Sequence, residues 1–407
     1  MSGTAPAEQD QTGQAPFGAT VAVMAVVGLV LGSQAYVTIP LMPQIAEAWD
    51  VSQSSAAWAT SAFAIAYACG SLLSGPLADR FGRRSAIWST LAVMAVATVA
   101  VPLAGGQGTG LALRAVQGVA AGVFAPVVFA YFGERLPAQR LALALTTVSA
   151  ALGGALVFGQ LAAQFLEAQL GWSAVFWITA VVLALGAVAA RKVMLPDAPR
   201  TTRGGFAFGN VLSSPRLVPL FVTALAVLGG VTAIYTGVQL YGPDSLGDPD
   251  AMFALRASAL PSLLVAVLAA PKLAHVKPTT RACGALALAA LGMVGAALSG
   301  DSVLVLGIAL FVTMVGASTA GPALVQAVGG AAGADRATAI AVYSFLLNLG
   351  AGLGAQVPQS TDVFTHLALW IALAFVAAIG LVALAAKASA RTAAAEQKAA
   401  PVLSQAR

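Results

Sequence analysis

Two apolar runs, residues 57–74 and 85–104, flank the decapeptide Gly75-Pro76-Leu77-Ala78-Asp79-Arg80-Phe81-Gly82-Arg83-Arg84. Each run is long enough to cross the hydrocarbon core of a bilayer, so the charged segment reads as the turnaround between two membrane helices. Its three arginines place it on the cytoplasmic side, which orients every span before and after it. A soluble alternative fails on composition. The chain is 59% apolar and 9% charged, whereas a soluble domain carries about 25% charged residues. A core able to hide so much apolar surface is ruled out by surface-to-volume scaling.

The same reading extended along the chain gives helices at 17–40, 57–76, 85–104, 109–131, 141–165 and 173–193. Six more follow at 216–240, 252–272, 281–299, 302–325, 337–359 and 364–386. Residues 1–16 are rich in small polar residues and are expected to form a cytoplasmic tail. The first apolar run lacks a preceding basic region and is too long for a signal-peptide core, so a retained span is expected. The one long polar interruption, 194–215, divides an N-terminal bundle (17–193) from a C-terminal bundle (216–386), with a second tail at 387–407. With both termini cytoplasmic, all of the 20 Lys and Arg except Arg114 and Arg256 fall in inner loops, tails or helix ends. The outer loops instead hold Glu47, Asp50, Glu167, Asp244, Asp248, Asp250, Asp301 and Asp362, an asymmetry that fixes orientation. Cys69 and Cys283 share no ligand spacing, and packing is the expected role of each. The scattered basic residues form no stripe for nucleic acid.

An offset of 196 residues lays Gly75, Leu77, Ala78 and Asp79 over Pro271, Leu273, Ala274 and His275, and Pro126 over Pro322. The second copy lacks the aspartate and the arginine pair. The pattern G-x-L-A-D-R-x-G-R-R resembles the loop 2–3 signature of the major facilitator superfamily of secondary transporters. Arg114-Ala115-Val116-Gln117-Gly118 resembles that family's fourth-helix motif, R-x-x-Q-G. The resemblance implies an all-α polytopic membrane protein, with two pseudo-symmetric six-helix bundles around a central cavity. Length, linker and loops are similar to the bacterial 12-span branch that exports drugs, sugars or nucleosides. The implied setting is the bacterial cytoplasmic membrane.

If the halves meet as the resemblance implies, Asp79 lies near Asp335-Arg336 at the start of the eleventh span and is expected to act as a latch between them. Arg80, Arg83 and Arg84 fit that latch or a purely topological role equally, and they also suit anionic lipid. Glu134, Arg135 and Arg140 form a smaller cluster that can join the network. An ionisable group inside hydrocarbon is costly and faces a cavity or a partner. For Arg114 the family implies a central-cavity, coupling position, and outward snorkelling is the alternative. Gln117 lies on its face by i,i+3 spacing. Candidate cavity residues are Gln34, Thr38, Arg114, Gln117, Tyr235, Gln239, Ser344 and Asn348. The last two share a stripe with Gly352 and Gln356, and helix–helix hydrogen bonding competes with solute contact for each.

Two departures from the family pattern stand out. The fifth span, from Ala150 to Gln160, keeps Gly153, Gly154 and Gly159 but lacks the antiporter proline. No Asp or Glu lies within the core of any span, so proton coupling would run through Asp79, Arg114, the loop acids or the solute. There is no P-loop for ATP-driven pumping, no repeated filter for a channel, and no His and acid cluster for an enzyme. The expectation is a monomeric exporter of a small organic solute, neutral or anionic, with protons as candidate co-substrate and no cofactor. Import, uniport and a non-transporting receptor remain alternatives.

Overall fold

The computed structural model describes residues 15–197, 208–273, 275–361 and 363–405, and every regular element among them is helical. In hydrocarbon each backbone N–H and C=O must be satisfied within the protein, and a helix does so locally. The elements are α1 (Phe17–Ser33), α2 (Met42–Trp49), α3 (Gln53–Ala56), α4 (Trp58–Phe81), α5 (Arg83–Ala100) and α6 (Gln107–Arg135). Then come α7 (Ala138–Leu170), α8 (Trp172–Val193), α9 (Phe208–Leu212), α10 (Val218–Tyr241) and α11 (Pro249–Ala257). The chain continues through α12 (Leu260–Leu273), α13 (Pro278–Ala297), α14 (Val303–Ala331), α15 (Arg336–Gly354) and α16 (Phe364–Gln405). Most of the expected tail 1–16, and residues 198–207 of the expected linker, lie outside the described residues.

Among the described residues nine helices are long and apolar enough to cross a membrane. They stand where nine of the expected spans were read. The expected first, eighth and eleventh spans are shorter or interrupted. Their outward-facing side chains are those of a lipid-facing protein: Val96, Leu268 and Leu304 are each more than 70% exposed. So contiguous an apolar surface would not stay uncovered in water.

Proline chemistry explains the interruptions. The expected helix 17–40 ends at Ser33, and residues 34–41 close in tighter turns, with Tyr36 N–H bonded to Ser33 O at 2.9 Å and Ile39 N–H to Tyr36 O at 3.2 Å. Pro40 lacks the N–H that a continuing helix would need, and its ring would clash with the preceding turn, whereas Pro43 opens the first turn of α2, where that N–H is not required. In the expected eighth span, Pro261 separates α11 from α12 in the same way. At the other extreme, the expected ten-residue turnaround 75–84 is a correction. Helix α4 runs on through Pro76 to Phe81 and only Gly82 is non-helical. The last helix likewise continues past residue 386 to Gln405.

The internal offset reappears in the helices. A shift of 196 residues carries α6 onto α14, both 29 residues long, with Pro126 falling on Pro322. Buried apolar side chains gather in clusters, one drawn from the first half of the chain and one mostly from the second that also takes in Ile39, Met42 and Leu156. One holds Met24, Phe63, Phe124, Phe132 and Leu183, and another Leu286, Leu310, Tyr343 and Phe375.

Helices α4 and α6 approach until backbones touch, at the small residues Gly118 and Gly122. A Cβ at Gly122 would lie 2.1 Å from the Tyr67 carbonyl oxygen, and one at Gly118 2.2 Å from that of Phe63. At Gly153 a Cβ would meet nothing within 4 Å. Gly122→Ala is therefore expected to lower stability by about 1–3 kcal/mol or more, the usual cost of overpacking. Gly153→Ala should be neutral or slightly stabilising. Thermal denaturation of the two purified variants checks the contrast, and equal melting temperatures would refute the α4–α6 contact.

Candidate gating and solute site

Gly82 holds φ +83°, a conformation that glycine takes without strain. Its missing Cβ admits the Asp197 carboxylate, whose Oδ2 would stand 2.2 Å from a Cβ there. That carboxylate accepts from the first free amides of α5, Arg83 N–H at 2.8 Å and Arg84 N–H at 3.2 Å. A carboxylate at a helix N-terminus also meets the positive end of the dipole. So a side chain from beyond α8 caps α5, an assignment the sequence expectations did not make. Arg83 forms an ion pair with Glu134. The Arg84 guanidinium donates to the Arg191 carbonyl, Nε at 3.0 Å. Arg135 donates to Pro196 O at 3.1 Å, and the Tyr131 hydroxyl accepts from Leu195 N–H at 2.9 Å. Asp79 and Arg80 line an open groove of about 560 Å³ with Arg83, Glu134, Arg135 and Asp197. The cluster expected around Glu134 and Arg135 thus joins the arginine turn, and Asp197 completes it. We call this the basic end.

Toward the far end of α6 sits Arg114, fully buried. Its Nε donates to Ala59 O of α4 at 3.1 Å, its Nη1 to Gln117 Oε1 at 2.9 Å, and its Nη2 to Gln34 O at 2.6 Å. The guanidinium stacks over the Phe63 ring at 4.5 Å, a favourable cation–π geometry. Gln117 Nε2 in turn donates to Thr98 Oγ1 of α5 at 2.6 Å. The Gln34 carbonyl is available because α1 has broken off, so the helix break supplies the acceptor that the arginine needs. Among the described residues no carboxylate pairs with Arg114.

The other candidates disperse. Thr38 is buried and its hydroxyl pairs with that of Thr60 at 2.7 Å. The Gln34 side-chain amide is buried and both of its polar atoms lack a partner, as does the Tyr235 hydroxyl. Asn348 donates back to Ser344 O at 2.9 Å, within its own helix. Gly352 rests on α4, where the Ser61 hydroxyl donates to its carbonyl at 2.6 Å. Gln356 donates to the Ser61 hydroxyl, and Gln359 to Ser54 O at 2.9 Å. Half of the polar stripe on α15 is thus a helix contact. Gln239 accepts from Arg256, which also donates to Gln164 of α7. Arg256 and Gln164 were not among the sequence candidates. The signal available was an arginine in an apolar run whose partners lie on other helices. Among the described residues no group of three or more His, Cys, Asp or Glu is placed to hold a metal ion.

Comparison with known proteins bears on this arrangement. A family model described as Major Facilitator Superfamily matches residues 24–355. An uncharacterized MFS-type transporter of Mycobacterium tuberculosis is 32% identical over 157 residues, 39% of this chain and 27% of the relative. The tetracenomycin C resistance and export protein of Streptomyces glaucescens is 29% identical over 156 residues, 38% of this chain and 29% of the relative. Multidrug resistance protein MdtG of Klebsiella pneumoniae is 29% identical over 258 residues, 60% of this chain and 62% of the relative. The first two matches therefore cover less than a third of those relatives' own length.

The cap on α5 has a measurable consequence. Asp197→Ala should cost about 1 kcal/mol, as for loss of a helix N-cap. Gly82→Ala should cost more, because it forces the left-handed conformation on a residue with a Cβ and also expels the carboxylate. The double variant should then be no less stable than Gly82→Ala alone, a coupling readable from thermal melts. Additive losses would show that Asp197 does not cap α5.

Proposed function

The chain belongs to the Major Facilitator Superfamily, and on that basis we propose that it is a secondary active transporter that exports a small organic solute by alternating access. In this reading twelve spans form two six-helix bundles around a central cavity, with both termini and the basic end in the cytoplasm. Export is favoured by the relatives named for drug resistance and export. Proton antiport is the proposed coupling.

The observation that carries the proposal is where α4 meets α15 and α7 meets α11. The hydrogen bonds Ser61–Gly352, Gln359–Ser54 and Gln164–Pro249 all lie at the ends of α4 and α7 remote from Gly82. Contacts of this kind would close the outer mouth and would have to break for release outside. The basic-end groove would be the counterpart, with Asp79 latching the inner side when the outer side opens. Arg114 would act as the coupling residue. It ties the broken end of α1 to α4 and α6, so a shift of any one of them changes how its charge is met. Gln34, Thr38, Gln117, Tyr235, Gln239, Ser344 and Asn348 are the proposed polar lining.

Flux into proteoliposomes with an imposed pH gradient tests this against a panel of small drugs, sugars and nucleosides. Proton-driven solute movement is expected in the wild type. It should be lost in Arg114→Ala and recovered poorly in Arg114→Lys, because a point charge cannot reproduce the guanidinium fork. Asp79→Asn should leave the protein in the membrane and slow transport greatly. Equilibration of a solute without any gradient would make the protein a facilitator instead. Reporter fusions should be external after residues 106 and 246 and internal after 203 and 335. A reversed result at 203 would break the twelve-span topology.

A further inference from the structure

A second buried guanidinium has no role in the mechanism so far. Arg256, 4% exposed, donates through Nη1 to Gln164 Oε1 on α7 and through Nη2 to Gln239 Oε1 on α10, the latter at 2.5 Å. Gln164 is held in this sense by its own donation from Nε2 to Pro249 O at 2.8 Å. Among the described residues no carboxylate pairs with Arg256. Of the acids nearest in sequence, Asp250 is exposed and two others are engaged elsewhere. Asp248 accepts from Asp250 N–H at the head of α11, and Glu167, three residues after Gln164, accepts from Gln44 at 2.9 Å. A buried cation surrounded only by neutral dipoles still favours an anion.

On the two helices that carry its partners, two buried polar atoms also lack partners. The Tyr235 hydroxyl lies one turn before Gln239 on α10, within electrostatic reach of Arg256. Gln160 Oε1 lies one turn before Gln164 on α7, while the Nε2 of the same amide is tied to Leu156 O at 3.2 Å. Tyr235 is 3% and Gln160 1% exposed. Buried polar atoms left open in this way are exceptional and call for an explanation.

The contrast with Arg114 decides which arginine is available. Two of the three bonds from Arg114 go to main-chain carbonyls, which cannot turn aside without moving a helix. Both partners of Arg256 are side-chain amides, which can rotate away. Their two oxygens occupy the positions on the fork that the two oxygens of a carboxylate would take.

We propose that the Arg256 cluster is the anion-selecting subsite of the transporter, taking a carboxylate borne by a small organic solute. The carboxylate replaces Gln164 and Gln239 on the guanidinium and accepts from the Tyr235 hydroxyl. Gln160 Oε1 accepts from a donor elsewhere on the solute. The inference rests on the reading of the chain as a solute carrier. It adds a link to the cycle, since capture of the fork by solute removes one of the two bonds from Gln164 of α7 to α11 and leaves the one to Pro249 O.

The test uses the purified full-length protein and matched pairs of probes: benzoate with benzamide, salicylate with salicylamide, and nicotinate with nicotinamide. A ligand that binds the folded state raises its melting temperature. At least one carboxylate is expected to raise the wild-type melting temperature in a saturable manner, with its amide at least about tenfold weaker, the loss typical of an unpaired buried charge. Arg256→Gln should abolish the difference between acid and amide, Arg256→Lys should restore it in part, and Tyr235→Phe should weaken the carboxylate by several-fold. Equal protection by acids and amides, no protection by any carboxylate, or undiminished discrimination in a folded Arg256→Gln protein would each overturn the subsite. Flux of neutral solutes in proteoliposomes separates this from the carrier reading. Neutral flux without carboxylate protection sinks the subsite alone, whereas carboxylate protection without flux of any solute sinks the carrier and leaves the binding site standing.

Discussion

A guanidinium in hydrocarbon has five N–H donors to place and a charge to satisfy, and much of the first half of the chain is arranged around that demand. Arg114 reaches α4 through Ala59 O, the broken end of α1 through Gln34 O, and α5 by way of Gln117 and Thr98. These bonds tie the end of α1 to α6 and to the face of α4 that α6 meets. The close approach of Gly118 and Gly122 to α4 brings the arginine within reach of the Ala59 carbonyl. Packing and polar satisfaction are one requirement here, because a side chain at either glycine would move the donor off its acceptors.

The same logic distinguishes the two ends of the molecule. At the basic end, charges meet charges and carboxylate meets backbone amide, as with Arg83 and Glu134 and with Asp197 on α5. At the far end the contacts that α4 and its flanking turn make with the end of α15 and beyond are serines, glutamines and a glycine, among them Ser61, Gly352, Gln356 and Gln359, while Arg256 and Glu167 bring charge to the contacts of α7. Neutral hydrogen bonds of that kind are worth about 1 kcal/mol each, and several can be exchanged for water at modest cost. Those neutral contacts are therefore easier to exchange than the charged ones of the basic end.

Membrane class and helical content were legible from sequence, because hydrocarbon imposes a length and a composition that no soluble fold needs. The pairing of Arg114 with Gln117 was legible too, since i,i+3 spacing fixes it within one helix. The Gln34 carbonyl was not, because a main-chain acceptor leaves no trace in residue identity. Pro40 and Pro43 marked the break in α1 only in retrospect, since Pro76, Pro126 and Pro322 lie inside helices that continue. A proline removes one donor, and neighbouring helices decide whether that loss ends the helix. The arginine-rich decapeptide was read as a loop because charge marks the edge of the membrane, and α4 continues past that edge into the interface. Asp197 and Gln164 could not be found by local spacing, as their partners lie 114 and 92 residues away.

The long reach of Asp197 bears on how the chain is assembled during synthesis. The two free amides at the head of α5 wait for a carboxylate that emerges 114 residues later. At about 5–20 residues per second, that delay is roughly 6–23 s. During it, water at the membrane surface must solvate those amides, and the turn at Gly82 lacks the carboxylate that later caps it. Helices α6, α7 and α8 are all made in the interval, so Asp197 can cap α5 only after the last of them is complete. Maturation of the arginine turn therefore reports that the whole first half has been threaded.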